Sequence, residues 1–398
     1  MRKIAIVNQR YGMEVNGGSE YYTRKLAEHL RPYYTIEVLT TTALDYDTWK
    51  SYYEEGQHEV QGVAVRRFQV KHPQNILRFK IINRLTRRLR FMKGVLEPLW
   101  VKEQGPYCPG LVRYIEEHET EYDAFIFVTY LYYPAVVGLP KVKDKAILVP
   151  TAHDEYCIYF DIYRELFQRS AAIAYLTEEE KKFTEHLFHN EGIPNRVAGS
   201  GLDLSEPTPH QIFRDRYGIS SEYIIYVGRI DTSKRCDELF EWFRRYKKQY
   251  QSEFKLIVIG RMMMDAPADS DILCLGFINE EDKSAGIAGA RALVMPSEHE
   301  SLSLVVLEAM ALGVPVVVNG HCRVLEEHCK KSGAGLAYWN FEQFSECLEK
   351  MICDVKDHEA MGKAGVQYVH ENYSWDRTIK MYQELFCEID KKLKDRTN

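Results

Sequence analysis

Short runs of apolar, often β-branched residues alternate with amphipathic segments along almost the whole chain, the signature of βαβ units and parallel sheets. In the first half these runs occupy residues 3–8, 35–40, 63–68, 124–128, 146–149 and 171–176; in the second half they occupy 223–227, 255–259, 272–275, 292–295 and 315–318. Helices are predicted between them. One spans 21–30, one follows the capping pattern of Thr177 and Glu180, and one runs from Leu304 to Leu312, stopped by Gly313 with Pro315 beyond it. Residues 199–209, rich in Gly and Pro and poor in apolar residues, form the candidate linker. A chain of 398 residues exceeds what one core usually serves. The pattern therefore predicts two doubly wound, Rossmann-like α/β domains, 1–200 and 201–374, with a helix at about 375–398 packing back on the first. A ligand cleft is expected between them, at the carboxyl ends of the strands.

Composition narrows the function classes. A hydrophobic content of 45%, a charged content of 28% and a net charge of -6 describe an ordinary globular protein with no global attraction to nucleic acid. The apolar run after Met1-Arg2-Lys3 is too short for a signal peptide and reads as a first strand. The longest uncharged stretch, 124–140, falls short of a membrane span and reads as a buried strand and loop. Nine cysteines without a Cys-x-x-Cys fit free thiols in a reducing cytosol. His321-Cys322 and His328-Cys329 match no standard zinc spacing and read as a helix face.

Candidate chemistry falls after the strands of the second half. Arg229 and Lys234, five residues apart behind Gly228, sit in a strand-to-helix loop where two cations can clamp a diphosphate. The alternative is a solvated basic loop. Glu300 lies in the polar loop after strand 292–295, and Glu308, eight positions on, lies about one turn inside the helix which that loop enters. The start of that helix, with its free N–H groups, offers an anion site. Glu308 is then placed to accept the hydroxyls of a ribose and Glu300 those of a sugar; the alternative is a pair of ordinary exposed glutamates.

The set Gly228-Arg229, Lys234, Pro296-Ser297, Glu300, Glu308-Ala309-Met310 and Gly313-Val314-Pro315-Val316-Val317 resembles the signature of the retaining glycosyltransferases of family 4, which have the GT-B fold. The resemblance implies a nucleotide-sugar donor, UDP- or GDP-linked, held by the second domain, and a glycan or lipid-diphosphate-linked acceptor held by the first. It implies that Arg229 and Lys234 neutralise the diphosphate, that Glu308 binds ribose and that Glu300 positions the donor sugar. The backbone of Ser301, Leu302, Ser303, Leu304 and Val305 would add N–H donors, and the base would lie near Arg261, Phe277 and Ile278. No cofactor and no metal are implied. Asp45-Tyr46-Asp47 and Asp269-Ser270-Asp271 accordingly read as loop residues rather than a metal-binding pair. Serine stands at 301 and 303 where the family commonly has glycine.

The first domain adds two matches. Gly17-Gly18, before the 21–30 helix, resembles the family's glycine-rich loop, which implies a donor-binding role in which the backbone meets the donor phosphate or the acceptor; it lacks the G-x-G-x-x-G of a nicotinamide fingerprint. His153, just past strand 146–149, matches the family's histidine in that loop and implies a role in orienting donor sugar or acceptor. Separately, residues 71–93 contain Arg78, Lys80, Arg84, Arg87, Arg88 and Arg90 and no acidic residue, interleaved with Ile76, Leu77, Ile81, Leu85 and Phe91. This reads as a basic amphipathic helix able to lie on an anionic membrane, or as a solvated helix face. The leading expectation is a cytoplasmic glycosyltransferase of polysaccharide or glycoconjugate synthesis, peripheral on the inner face of the membrane. The other is a catalytically silent binding protein of the same fold.

Overall fold

The computed structural model describes residues 1–203, 209–353 and 355–397. The chain divides into two compact units, Met1–Ser200 with Trp375–Asn398, and Gly201–Ser374. Of the linker read at 199–209, residues 204–208 lie outside the described residues.

Among the described residues, the first unit holds an eight-stranded sheet. Its strands are β1 (Lys3–Val7), β2 (Thr35–Thr41), β3 (Gly56–Val60), β4 (Val63–Phe68), β5 (Ala124–Val128), β6 (Ala146–Val149), β7 (Ala172–Tyr175) and β8 (Asn195–Val197), in the order β3-β4-β2-β1-β5-β6-β7-β8. All pairs are parallel except β3 with β4. The apolar runs mark the central strands because these are covered on both faces: β5 is buried at every position. The pattern misses β3 and β8. Gly-Gln-His-Glu-Val is an edge strand open to water on alternate residues, and β8 is three residues long. Beyond Val128 the loop reading is corrected too, since Tyr133–Gly138 is a short helix begun by Pro134 in its first turn.

The Trp375–Thr397 helix closes this unit. Arg2 donates to Asp390 at 2.8 Å, the Tyr22 and Tyr382 hydroxyls lie 2.7 Å apart, and Arg196 reaches Glu384 at 2.7 Å. The basic segment is not one helix. It is a helix at Ile76–Arg88, a 3-10 turn at Arg90–Met92 and a second helix from Lys93, because Leu89 takes a non-helical backbone with φ -104° and ψ 61°.

In the second unit, β9 (Tyr223–Val227), β10 (Lys255–Ile259), β11 (Ile272–Gly276), β12 (Leu293–Met295), β13 (Val316–Asn319) and β14 (Gly335–Tyr338) form a parallel sheet in the order β11-β10-β9-β12-β13-β14. Numbered from β9, this is the 3-2-1-4-5-6 order of dinucleotide-binding sheets, whose strand order reverses between β9 and β12. The pattern misses β14, a four-residue strand that is only partly buried. Gly260 lets the ends of β9 and β10 close up. Its φ is +141°, and a Cβ there would meet the Gly228 carbonyl oxygen at 1.8 Å.

Candidate active site

The loops that follow β9 and β12 meet at that reversal. After Gly228, Arg229 turns back along its own loop, pairing with Asp231 and donating to the Ser233 hydroxyl at 2.9 Å. Its carbonyl accepts the Tyr226 hydroxyl at 2.6 Å. Asp231 is the hub of the turn: its Oδ1 accepts from the Ser233 hydroxyl at 2.6 Å and from the Lys234 N–H at 2.9 Å. Although burial works against the charge, the Ser233 hydroxyl and the Arg229 guanidinium hold the Asp231 carboxyl below its usual range. The turn aims Lys234 across to the other loop. Lys234 Nζ lies 2.6 Å from Glu300 Oε1, and beside it Arg235 reaches Glu298 at 2.6 Å.

Residues 296–303, the loop that carries Glu300, are pinned from behind. Asn319 Nδ2 donates to the Pro296 carbonyl at 2.9 Å, and His328 Nε2 is 2.9 Å from the Leu302 carbonyl, with Tyr368 on its other nitrogen at 3.1 Å. His328 lies on the Arg323–Ser332 helix, as the sequence reading has it, and also supports the candidate loop. The loop passes into the Leu304–Ala311 helix through Ser303, which has φ 65° and ψ 78°, a left-handed conformation unusual for serine. The first bonds of the helix run from the Val306 and Leu307 amides to the Ser303 carbonyl, so the amides of Leu304 and Val305 belong to its open first turn.

Glu308 is on the second turn of this helix and meets Lys283, from the Glu280–Ala288 helix, at 3.0 Å. Burial works against the Lys283 charge, but Glu308 and Glu280 more than offset it and hold the ammonium above its usual range. The supporting contacts of Lys283, Asp231, Asn319 and His328 escaped the sequence reading. Asp231 alone left a local trace, an acid two residues after Arg229 in the same loop. The others reach the site across the fold. Arg261, and Phe277 with Ile278, follow β10 and β11 on the same sheet edge, and the Arg261 carbonyl accepts the Ile230 N–H at 3.0 Å.

Gly17, Gly18 and His153 belong to the first unit. Gly17 precedes the Gly18–Leu30 helix, and a Cβ on it would meet Glu20 Oε2 at 2.2 Å; Gly18 faces open space. Glu20 is buried against Arg10 at 2.5 Å and Gln9 at 2.8 Å, so the glycine loop is packed around an ion pair. His153 follows β6 with its Nε2 3.6 Å from Glu155 Oε1, which also accepts the Tyr130 hydroxyl at 2.7 Å. The loop is anchored through Ala152, whose N–H donates to buried Glu180 at 2.6 Å.

The other acidic candidates have structural work. Asp45 accepts the Asp47 and Thr48 amides, Asp269 the Asp271 amide, and Asp271 pairs with Lys255 at 2.5 Å. Among the described residues no group of three or more His, Cys, Asp or Glu is placed to hold a metal ion.

Residues 211–368 match the family described as Glycosyl transferases group 1. The capsular polysaccharide biosynthesis glycosyltransferase CapM of Staphylococcus aureus is 27% identical over 197 residues, 46% of this chain and 50% of that protein. The chain spans about half the length of the curated relatives it matches. Among solved structures, the sucrose-phosphate synthase from Thermosynechococcus elongatus superposes with a TM-score of 0.71 at 17% identity, covering 97% of this chain and 100% of that one. Anabaena Alr3699/HepE, solved in complex with UDP and glucose, gives a TM-score of 0.66 at 16% identity, covering 96% and 99%. The second unit thus contains a glycosyl transferases group 1 domain at 211–368, in a chain whose two Rossmann-like sheets have the fold of the GT-B glycosyltransferases.

Proposed function

We propose that the chain is a retaining, family 4-like glycosyltransferase. It moves a sugar from a UDP- or GDP-linked donor to a hydroxyl of a glycan or lipid-linked acceptor, in the synthesis of a surface polysaccharide or glycoconjugate. The observation that carries this reading is the meeting of Lys234 and Glu300 at the strand-order reversal of the second sheet, one loop ahead of the helix that bears Glu308. Open α/β sheets bind ligands at that point. The similarity to CapM supports the polysaccharide setting, and the UDP held by Alr3699/HepE supports a uridine donor.

In this reading Arg229 and Lys234 neutralise the diphosphate together with the amides from Ser301 to Val305, which compensate its charge without a metal ion. Glu308 accepts the ribose hydroxyls, while Glu300 exchanges Lys234 for hydroxyls of the donor sugar. Arg261, Phe277 and Ile278 border the base. The first unit binds the acceptor, while the backbone of Gly17 and Gly18 meets the donor phosphate or the acceptor and His153 orients the donor sugar or the acceptor. The bond from the anomeric carbon to the phosphate oxygen breaks as the bond to the acceptor oxygen forms on the same face. The acceptor's proton passes to the departing phosphate. Stabilising that phosphate is then the main catalytic contribution of the protein.

A thermal-shift and hydrolysis screen against UDP-, GDP-, ADP- and dTDP-sugars tests the proposal. One donor should raise the melting temperature and be slowly hydrolysed, and the freed or transferred sugar should keep its anomeric configuration by NMR. No shift with any donor contradicts the proposal and favours a silent binding protein.

A further inference from the structure

The Ile76–Arg88 helix is held to its unit along one face only. Ile82 and Thr86 are buried, the Phe79 ring lies 5.7 Å from that of Trp100, and Asn83 Oδ1 accepts the Trp100 N–H at 2.9 Å and the Tyr156 hydroxyl at 2.5 Å. The other face carries Leu77, Ile81 and Leu85 at four-residue spacing, which lines them up along the helix. Leu77 is 74% exposed and Ile81 61%; just beyond the helix, Phe91 is 83% exposed. Contiguous large apolar side chains in water mark an interaction surface.

The charges beside this row are all of one sign. Lys80, Arg84, Arg87, Arg88, Arg90 and Lys93 alternate with the apolar residues, and the sequence contains no Asp or Glu between Glu59 and Glu97. At the end of the helix a cavity of about 450 Å³ is lined by Arg87, Arg90 and Lys93 and by Tyr156, Tyr159 and Phe160. The Arg87 guanidinium sits 3.9 Å over the Tyr156 ring. Lys93 is paired with Asp161, and Glu97, also in the wall, accepts the Ile162 N–H at 2.9 Å. The charge offered to a ligand therefore comes from Arg87 and Arg90.

We propose that this face docks on an anionic phospholipid bilayer. Leu77, Ile81, Leu85 and Phe91 enter the acyl boundary, the long cationic side chains reach the headgroups, and the cavity takes one lipid phosphate between Arg87 and Arg90. A protein partner would have to set an acid against each of these cations as it buries the apolar row, whereas a layer of anionic headgroups meets all of them at once. Among the described residues no helix is long and apolar enough to cross a membrane; the surface is one that lies on the bilayer.

Vesicle sedimentation with the full chain tests this. Binding to vesicles containing phosphatidylglycerol should exceed binding to pure phosphatidylcholine by at least about tenfold and fall as salt rises. Arg87→Ala with Arg90→Ala should weaken it about fivefold per charge, and Leu77→Ser with Ile81→Ser should weaken it independently. Lys248→Glu with Lys356→Glu, exposed positions on the other unit, should leave it unchanged. The two test pairs alter exposed side chains, so each should keep the wild-type melting temperature, and either pair suffices if the other does not fold. No binding of the wild type, equal binding to neutral vesicles, or full binding by both folded test pairs overturns the proposal. Self-association abolished by the same substitutions, with no vesicle binding, would assign the face to a protein partner instead.

Discussion

Lys234 Nζ lies 2.6 Å from Glu300 Oε1, joining the loop after β9 to the loop after β12 where the strand order reverses. The two side chains keep 26% and 14% of their exposure, so the pair is largely withdrawn from water, and removing one partner leaves the other charge poorly solvated. Lys234→Ala should lower kcat on the order of 100-fold or more in protein shown to stay folded by its urea melt. Arg229→Ala should behave alike. Wild-type turnover in both variants would remove these residues from the diphosphate site.

Glu308 is held by Lys283 and lies deep enough for a hydrogen bond from a ribose hydroxyl to count fully. Hydrogen bonds to a charged group are worth about 1.5–3 kcal/mol. Glu308→Gln should therefore weaken nucleotide binding about 10- to 100-fold with little change in kcat for bound donor. A 2′-deoxynucleotide should lose similar affinity for the wild type but little more for the variant. Equal losses in both proteins would show that Glu308 does not touch the ribose.

The strand positions were legible because central strands buried on both faces need unbroken apolar runs, as at Ala124–Val128 and Tyr223–Val227. Glycine and charge spacing placed Arg229, Lys234, Glu300 and Glu308 after strand ends for the same reason. Edge strands such as Gly56–Val60 escaped because a half-wet strand carries no such run. The contacts of Lys283, Asn319 and His328 to Glu308, Pro296 and Leu302 escaped because they join distant segments, which no local spacing encodes.

Ser303 combines a positive φ of 65° with a buried hydroxyl that has no hydrogen-bond partner among the described residues. Glycine accepts that backbone without the steric penalty and leaves no hydroxyl to desolvate. Ser303→Gly should raise unfolding stability by about 1 kcal/mol. At Gly260 the sense reverses, since a Cβ would sit 1.8 Å from the Gly228 oxygen. Gly260→Ala should be destabilised by more than about 1 kcal/mol, and urea melts of the two variants moving the same way would contradict this.

Burial pushes the Glu180 carboxyl up to about 8, although the Leu176 and Ala152 amides oppose the shift. In the unfolded chain it titrates near 4.5. Between these values the folded state keeps a proton that the unfolded state has lost, so stability from this group is full below about pH 4.5 and is lost as pH rises toward about 8. The gap in unfolding free energy between wild type and Glu180→Gln should therefore shrink from about pH 5 to about pH 8. A constant gap would mean that the carboxyl is already ionised in the fold.

Calorimetric titration of UDP and GDP into the wild type and into Lys234→Ala tests the donor site most directly. The wild type should bind one of the two nucleotides, and the variant should bind it on the order of 100-fold more weakly, as expected for loss of a charge-assisted contact to phosphate. Equal affinity in the two proteins, or binding of neither nucleotide by the wild type, would contradict a diphosphate site at the Lys234–Glu300 junction.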